Sequence, residues 1–144
     1  MTSALRVFVD SNVLLSATRT EGSNLRLLWT LQGVEILISR YVIEEVRRHL
    51  VRSDQRARLW KALYKSHLVP DGEEVVLPEL INLPDKDIPV LQAAVAGKAN
   101  LLITGDFRHF GPLFDSTIAG VRIESTSVFK ARYPAIFSSR GIAG

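Results

Sequence analysis

Short, mostly apolar segments alternate with amphipathic ones along this chain, and that alternation constrains its fold more than any other feature. The apolar segments are only four or five residues long and end at polar residues or glycine, a pattern typical of buried strands. They are residues 5–9, 35–38, 100–103 and 120–123. Strands that alternate with helices form a mainly parallel sheet with helices on both faces. The sequence therefore predicts an α/β protein with a three-layer α/β/α architecture.

The helical spacing of apolar residues predicts the connecting helices. The clearest case is Val42, Val46 and Leu50, which lie four residues apart and share one helical face. The predicted helices cover residues 13–17, 25–31, 41–51, 55–67, 87–97 and 127–132. Residues 70–84 contain three of the six prolines, which predicts an irregular connection. We interpret residues 1–137 as a single domain and residues 138–144 as a flexible C-terminal tail.

Composition narrows the class of protein. With 144 residues, of which 47% are hydrophobic, the chain is long enough to bury a core. No apolar run approaches the roughly 18 residues of a membrane helix, and the first run stops at Asp10 without a small-residue cleavage site. The absence of cysteine excludes disulfides and thiolate metal sites. We therefore expect a cytoplasmic protein without a membrane partner.

Positive charge is concentrated in one segment. Residues 47–67 contain seven Lys or Arg and a single acid, Asp54, so this segment carries +6 while the whole chain carries only +3. A basic segment beside an otherwise acidic body suits a polyanionic substrate. Arg48, Arg52 and Arg56 are candidate contacts for RNA phosphates, as is Arg108 from a later segment. A solvated helical face is the alternative interpretation, and it stays open for each residue.

Four acidic residues stand where a site is expected in a parallel sheet. Functional groups in such sheets gather beyond the carboxyl ends of the strands. Asp10 directly follows the first predicted strand, and Asp106 follows the third. Asp87 heads a predicted helix, and Glu45 lies one turn into another. Because clustered carboxylates repel one another unless a cation neutralises them, this set suits Mg²⁺ or Mn²⁺.

Each acid also has a purely structural interpretation. Asp10 and Asp87 suit the N-cap position of a helix, and Asp106 suits a turn. Glu45 competes with its neighbour Glu44 as a ligand. The apolar face of their helix centres nearer to Glu45, whereas Glu44 can pair with the arginine four residues later on a solvent face. Helical geometry therefore favours Glu45 by a small margin.

Four segments, in order along the chain, resemble the motifs of the PIN domain family. They are Val9-Asp10-Ser11-Asn12, Ser39-Arg-Tyr-Val-Ile-Glu44-Glu45-Val46, Asp85-Lys-Asp87-Ile-Pro-Val-Leu91-Gln-Ala-Ala94 and Leu101-Leu-Ile-Thr104-Gly105-Asp106-Phe107. The last two segments and the spacing between them are the most specific. The resemblance implies a three-layer α/β nuclease, and many members are VapC-type toxins of bacterial and archaeal toxin–antitoxin pairs.

The resemblance also implies roles for individual residues. The catalytic, metal-binding acids that it implies are Asp10, Glu45, Asp87 and Asp106. Asn12 and Thr104 would be polar supports that orient these acids, and Asp85 matches a position that is often acidic. An RNA substrate, an antitoxin partner and a homodimer are further implications. The predicted function is a metal-dependent endoribonuclease that hydrolyses RNA phosphodiester bonds with water as the nucleophile.

The sequence departs from the family after Asp106. Some relatives carry another acid within a few residues, whereas this chain has Phe107-Arg108-His109-Phe110. Arg108 and His109 are instead candidates to touch a phosphate or a leaving oxygen. One metal ion is therefore predicted, and a second ion is left open.

Three other functions compete with this prediction. A haloacid-dehalogenase-like phosphatase also begins with a strand and an aspartate, but its usual Asp-x-Asp pair is absent because residue 12 is Asn. A receiver-type signalling domain needs paired acids after the first strand and a late lysine after another strand, and the sequence has neither. A catalytically inactive PIN-fold module that binds RNA or acts as a scaffold is the remaining alternative. The complete set of four acids argues against it.

Overall fold

The centre of the protein is a six-stranded sheet, seen in a computed structural model that describes residues 3–138. Its strands are β1 (Leu5–Val9), β2 (Val34–Ser39), β3 (His67–Val69), β4 (Leu101–Thr104), β5 (Thr117–Ile118) and β6 (Val121–Ser125). Across the sheet their order is β3-β2-β1-β4-β6-β5, and all neighbours are parallel except β5 and β6. The predicted mainly parallel sheet is confirmed.

Helices cover both faces of this sheet. They are α1 (Ser11–Arg19), α2 (Arg40–Arg47), α3 (Ser53–Tyr64), α4 (Ile88–Ala96), α5 (Phe107–Phe110), α6 (Thr126–Lys130) and α7 (Pro134–Phe137). In β1 the successive residues Val7, Phe8 and Val9 are all 0% exposed. Because successive side chains of a strand point to opposite faces, both faces of the sheet must be covered. The predicted three-layer α/β/α architecture is therefore confirmed.

The helix predicted over residues 41–51 is shorter than its apolar spacing indicated. α2 ends at Arg47, after which His49 N donates to Val46 O at 3.0 Å and Leu50 N donates to Arg47 O at 3.3 Å. These bonds span three residues and tighten the chain into turns. Leu50 is nevertheless buried, with 1% of its surface exposed. Its apolar character therefore reflects burial in the core and not membership of the α-helix.

Other boundaries also differ from the predictions. The helix predicted over residues 55–67 ends at Tyr64, because His67 begins the edge strand β3. That strand and β5 were missed, since three- and two-residue strands are too short to show a pattern. Residues 25–31 were predicted as a helix and form the 3₁₀ helix Asn24–Thr30.

The predicted strand over residues 120–123 corresponds to β6 and the predicted helix over residues 127–132 to α6, whereas the short helices α5 and α7 were not predicted. Residues 70–84 contain neither helix nor strand, as expected of the proline-rich connection. The predicted C-terminal tail over residues 138–144 lies, from residue 139 onward, outside the described residues. No helix within residues 3–138 has the length and apolar character needed to cross a membrane.

The topology brings two of the predicted acids to one edge of the sheet. β1 and β4 are adjacent and parallel, so their carboxyl ends lie side by side. Asp10 N donates to Ile103 O at 3.1 Å and ties these two ends together. β6 ends beside them, with Thr104 in register with Ser125. Side chains that follow β1 and β4 therefore face a common space.

Candidate active site

A cleft of about 510 Å³ opens at this edge of the sheet. Its polar lining includes all four predicted acids, namely Asp10, Glu45, Asp87 and Asp106. They come from the ends of two strands, from α2 and from the residue that precedes α4. The chain thus converges on one cleft from positions almost 100 residues apart.

Asp10 is the most deeply buried of these acids, at 3% exposed. As the N-cap of α1, its Oδ1 accepts a hydrogen bond from Ser11 N at 2.7 Å. Its Oδ2 accepts from Thr104 Oγ1 at 2.7 Å and from Asn12 Nδ2 at 3.0 Å. These three donors, with a longer contact from Ser11 Oγ at 3.4 Å, hold the carboxylate in one orientation.

Burial makes the negative charge of Asp10 costly in spite of those donors. Desolvation is the largest effect and raises the pKa of Asp10 from 3.8 to about 6. The hydrogen bonds from Thr104 and Ser11 lower it, and the nearby charges of Asp87 and Glu45 raise it further. Desolvation likewise raises the pKa of Asp87. The cleft therefore concentrates negative charge that its own neighbours do not neutralise.

The predicted supports form one bonded frame around these acids. Asn12 Nδ2 donates to Thr104 Oγ1 at 3.2 Å, and Asp106 N donates to the same oxygen at 3.0 Å. Gly105 N donates to Asn12 Oδ1 at 2.8 Å. A Cβ atom on Gly105 would lie 3.3 Å from Asn12 Oδ1, so glycine permits this close approach. Asn12 and Thr104 are thus placed to fix the positions of Asp10 and Asp106.

The structure separates Glu45 from Glu44. Glu45 lines the cleft, and its Oε2 accepts a hydrogen bond from Ser11 Oγ at 3.2 Å. Glu44 is exposed and pairs with Arg47 at 3.1 Å. The pairing of Glu44 with the arginine four residues later was therefore wrong, because the partner lies three residues later. The placement of Glu44 on the solvent face is as expected.

Asp87 and Asp106 approach each other around a histidine. His109 Nδ1 lies 3.0 Å from Asp87 Oδ2 and 2.9 Å from Asp106 Oδ2. Within residues 3–138, these are the three side chains whose ligand atoms gather closely enough to hold one metal ion. Asp10 and Glu45 lie outside that group and are connected through Ser11. The four acids therefore form two linked pairs in one cleft.

The remaining predicted site residues are less central. Asp85 is exposed and does not line the cleft. Arg108 is exposed on α5, next to the cleft. Arg48 and Arg56 line a second cavity, of about 790 Å³, formed mainly by α2 and α3. Arg52 is also exposed but is committed to an ion pair.

The ion pair of Arg52 limits what this residue can offer to a polyanion. Its Nε and Nη2 donate to the two carboxylate oxygens of Asp54 at 2.9 and 2.6 Å. The hydrogen bond from Arg52 is the main cause that holds the pKa of Asp54 at about 2. Arg48 makes no ion pair within the described residues, so its charge is freer to meet a phosphate.

Two residues that contact the acids, Ser11 in the cleft lining and His109 beside Asp87 and Asp106, were not predicted as part of the metal site. Ser11 bridges Asp10 and Glu45 through its hydroxyl, at 3.4 and 3.2 Å. Its position inside Val9-Asp10-Ser11-Asn12 was the available signal, but the contact with Glu45 spans 34 residues. His109 was considered only for contact with a phosphate or a leaving oxygen. Its place among carboxylates depends on the packing of α5.

The side chains present fit a divalent cation. Asp87 Oδ2 and His109 Nδ1 are buried and accept or donate no hydrogen bond within residues 3–138. Asp10 is buried without a cationic partner in that same range, and its pKa is raised. Mg²⁺ and Mn²⁺ bind oxygen-rich sets of ligands, and a bound cation would satisfy these buried atoms.

Comparisons with known proteins point to one family. A model described as the PIN domain matches residues 6–108, well over half of the chain. No curated protein matches the sequence. Among solved structures, this fold is shared by VapBC2 from Rickettsia felis, which was solved bound to a DNA fragment from the VapBC2 promoter. The TM-score is 0.57 at 15% sequence identity, and the match covers 84% of this chain and 98% of that chain. The chain is therefore a member of the PIN domain family.

Proposed function

We propose that this protein is a metal-dependent endoribonuclease that hydrolyses RNA with water as the nucleophile. The observation that carries the proposal is the convergence of Asp10, Glu45, Asp87 and Asp106 on one cleft of a PIN-family chain. A bound Mg²⁺ or Mn²⁺ would lower the pKa of a water and stabilise charge on the phosphodiester. The resting site would hold one ion, and a second ion is left open.

The protein's own residues would supply the geometry of this reaction. The four carboxylates would supply the ligands of the cation, since Asp87 and Asp106 already lie close together and Asp10 and Glu45 face the same cleft. Asn12, Thr104 and Ser11 would hold those carboxylates in fixed orientations through the hydrogen bonds described above. The cleft is partly open to solvent, so an RNA strand would be able to reach the acids. The inactive-scaffold alternative is less well supported, because buried carboxylates without cations are costly unless they bind a ligand.

The nuclease proposal is tested by a pair of adjacent variants. Purified protein should degrade single-stranded RNA with Mn²⁺ or Mg²⁺, and EDTA should stop the reaction. Glu45→Gln should lower kcat by about 100-fold or more, since a ligand is lost. Glu44→Gln is the matched control, because the same side chain one residue earlier lies on the solvent face. Cleavage without metal, or equal losses in the two variants, would contradict the assignment.

We also propose that RNA contacts the exposed side chains of Arg48, Arg56 and Arg108, with Arg52 contributing less because of its ion pair. Each lost phosphate contact should reduce the salt dependence of binding by about 0.7 in the slope of log K against log salt for a single strand. Arg48→Glu should therefore weaken binding of a labelled RNA in EDTA and flatten its salt dependence. Lys98→Glu is the charge-matched control, since Lys98 is exposed and precedes β4 at the opposite end of the sheet. Equal effects of both variants would favour the interpretation that residues 47–67 form only a solvated helical face.

A toxin role is the finer part of the proposal. The resemblance to VapC-type proteins implies it, and the fold shared with VapBC2 supports it. The protein would then act in the cytoplasm, bind an antitoxin and form a homodimer. Expression should arrest growth, Asp10→Asn should relieve the arrest, and co-expression of the product of an adjacent gene should restore growth. Light scattering would test the dimer, and growth unaffected by active protein would exclude the toxin role.

A further inference from the structure

His109 occupies an unusual position between two carboxylates of the cleft. It lies in α5, three residues after Asp106, and its backbone N donates to Asp106 Oδ1 at 3.0 Å. Phe110, which is 0% exposed, anchors this short helix in the core. The imidazole is thereby held with Nδ1 at 2.9 Å from Asp106 Oδ2 and 3.0 Å from Asp87 Oδ2.

These contacts do not satisfy the atoms that make them. His109 Nδ1 and Asp87 Oδ2 are both buried and take part in no hydrogen bond within the described residues. The side chain of Asp87 is only 10% exposed. A histidine that served only as a counter-ion would donate a hydrogen bond to one of the carboxylates, but neither close contact of Nδ1 has hydrogen-bond geometry. The arrangement brings three potential metal-ligand atoms close together.

The spacing of the three atoms suits a shared ion. Neighbouring ligands of an octahedral ion with bonds of about 2.1 Å lie about 3 Å apart. The two distances from Nδ1, 2.9 and 3.0 Å, have this value. His109 also stands in the segment after Asp106 where the sequence lacks a further acid. His109 therefore adds a third potential ligand atom to the two carboxylates.

We propose that His109 is a metal ligand, and that its nitrogen makes the site of Asp87, Asp106 and His109 selective for transition ions such as Mn²⁺ over Mg²⁺. Mg²⁺ is a hard ion that binds through oxygen, whereas first-row transition ions accept imidazole nitrogen. An imidazole ligand also brings no negative charge, unlike a carboxylate, which weakens the attraction for Mg²⁺. The inference rests on the proposed function only in requiring that a divalent cation binds this cleft.

The test measures metal binding directly rather than cleavage. Pulsed EPR of the full chain loaded with Mn²⁺ should show coupling to an imidazole nitrogen, and His109→Ala should abolish it. Calorimetric titration should show Mn²⁺ affinity reduced by about tenfold or more in His109→Ala, with a smaller loss for Mg²⁺. His109→Glu should reverse the preference by raising the affinity for Mg²⁺ relative to Mn²⁺. His49→Ala is the matched control, because His49 lines the same cleft but lies outside the three-atom cluster.

The outcomes separate this inference from the proposed function. Mn²⁺ binding without nitrogen coupling, or stronger Mn²⁺ binding in His109→Ala, would show that the imidazole competes with the ion, and would overturn the inference alone. Coupling that survives in His109→Ala but disappears in His49→Ala would show that His49 is the nitrogen ligand, and would also overturn the inference about His109. Failure of the wild-type protein to bind any divalent ion would overturn both proposals. Circular dichroism of each variant establishes that the fold is retained.

Discussion

Asp10→Asn provides a quantitative test of the electrostatics of the cleft. The pKa of Asp10 is raised from 3.8 to about 6, chiefly by burial. The folded protein therefore binds this proton more tightly than the unfolded chain does. The associated stability is fully present below pH 3.8 and is lost as the pH rises through about 6. At about 1.4 kcal/mol for each pH unit, the total loss is about 3 kcal/mol, of which about 2 kcal/mol falls between pH 4 and pH 8.

Asparagine is uncharged at every pH and so does not share this loss. An amide nitrogen in place of Oδ2 cannot accept the hydrogen bonds from Thr104 and Asn12. Their loss costs about 1 kcal/mol of stability at every pH. The free energy of unfolding of Asp10→Asn, relative to the wild type, should therefore rise by about 2 kcal/mol from pH 4 to pH 8. The variant should be the less stable protein at pH 4 and the more stable one at pH 8.

Urea unfolding in EDTA, followed by circular dichroism, measures these differences. Glu79→Gln is the control, since that carboxylate is exposed, and it should change stability by less than about 0.5 kcal/mol at both pH values. A difference between Asp10→Asn and the wild type that does not change with pH would refute the reasoning. Adding Mn²⁺ at pH 8 should stabilise the wild type by about 2.7 kcal/mol at 100 times Kd, and the variant much less.

Three further predictions test packing at the site and elsewhere in the fold. Thr104→Val removes the hydroxyl that donates to the buried aspartate, so urea unfolding at pH 8 should show a loss of about 1–3 kcal/mol. In the ion pair of Arg132 with Glu124, the carboxylate is 1% exposed and the arginine side chain is 39% exposed. Arg132→Met removes a cation from this buried carboxylate and should lower the free energy of unfolding more than Glu124→Met does, because an arginine left without its partner can turn to water. Gly72→Ala and Gly33→Ala start from the same φ of +74°, but only Gly72 has a backbone carbonyl oxygen 2.4 Å from the added Cβ. Thermal unfolding should therefore show a loss larger by about 2 kcal/mol in Gly72→Ala, and equal losses would mean that the clash relaxes freely.

Much of the fold could be predicted because its signals are local. β1 and β4 are short apolar runs that end at polar residues, and the apolar spacing of α2 and α4 repeats within a few turns. Such patterns depend only on neighbours in the chain. β3 was missed because its pairing with β2 is a long-range contact, and its sequence shows no alternation.

The four predicted acids show the same division between local and long-range information. Their order and spacing, together with the ends of the predicted strands, were enough to name them as candidates and to relate the chain to PIN domains. Which of two adjacent glutamates enters the cleft was decided by the rotation of α2 against α1, where Ser11 meets Glu45. The ion pair between Arg52 and Asp54 could likewise not be predicted from a count of charges.

The sequence by itself determined the α/β class, the parallel sheet, the family and the set of candidate acids. These follow from the apolar periodicity of strands and helices and from the polar residues at strand ends, which depend only on residues that are close together in the chain. Only the tertiary structure decided that Asp10 is buried with a raised pKa, and that His109 lies between Asp87 and Asp106. The physical reason is that desolvation and metal-ligand geometry depend on atoms brought together from distant parts of the chain. Those distances are set by packing and leave no local pattern in the sequence.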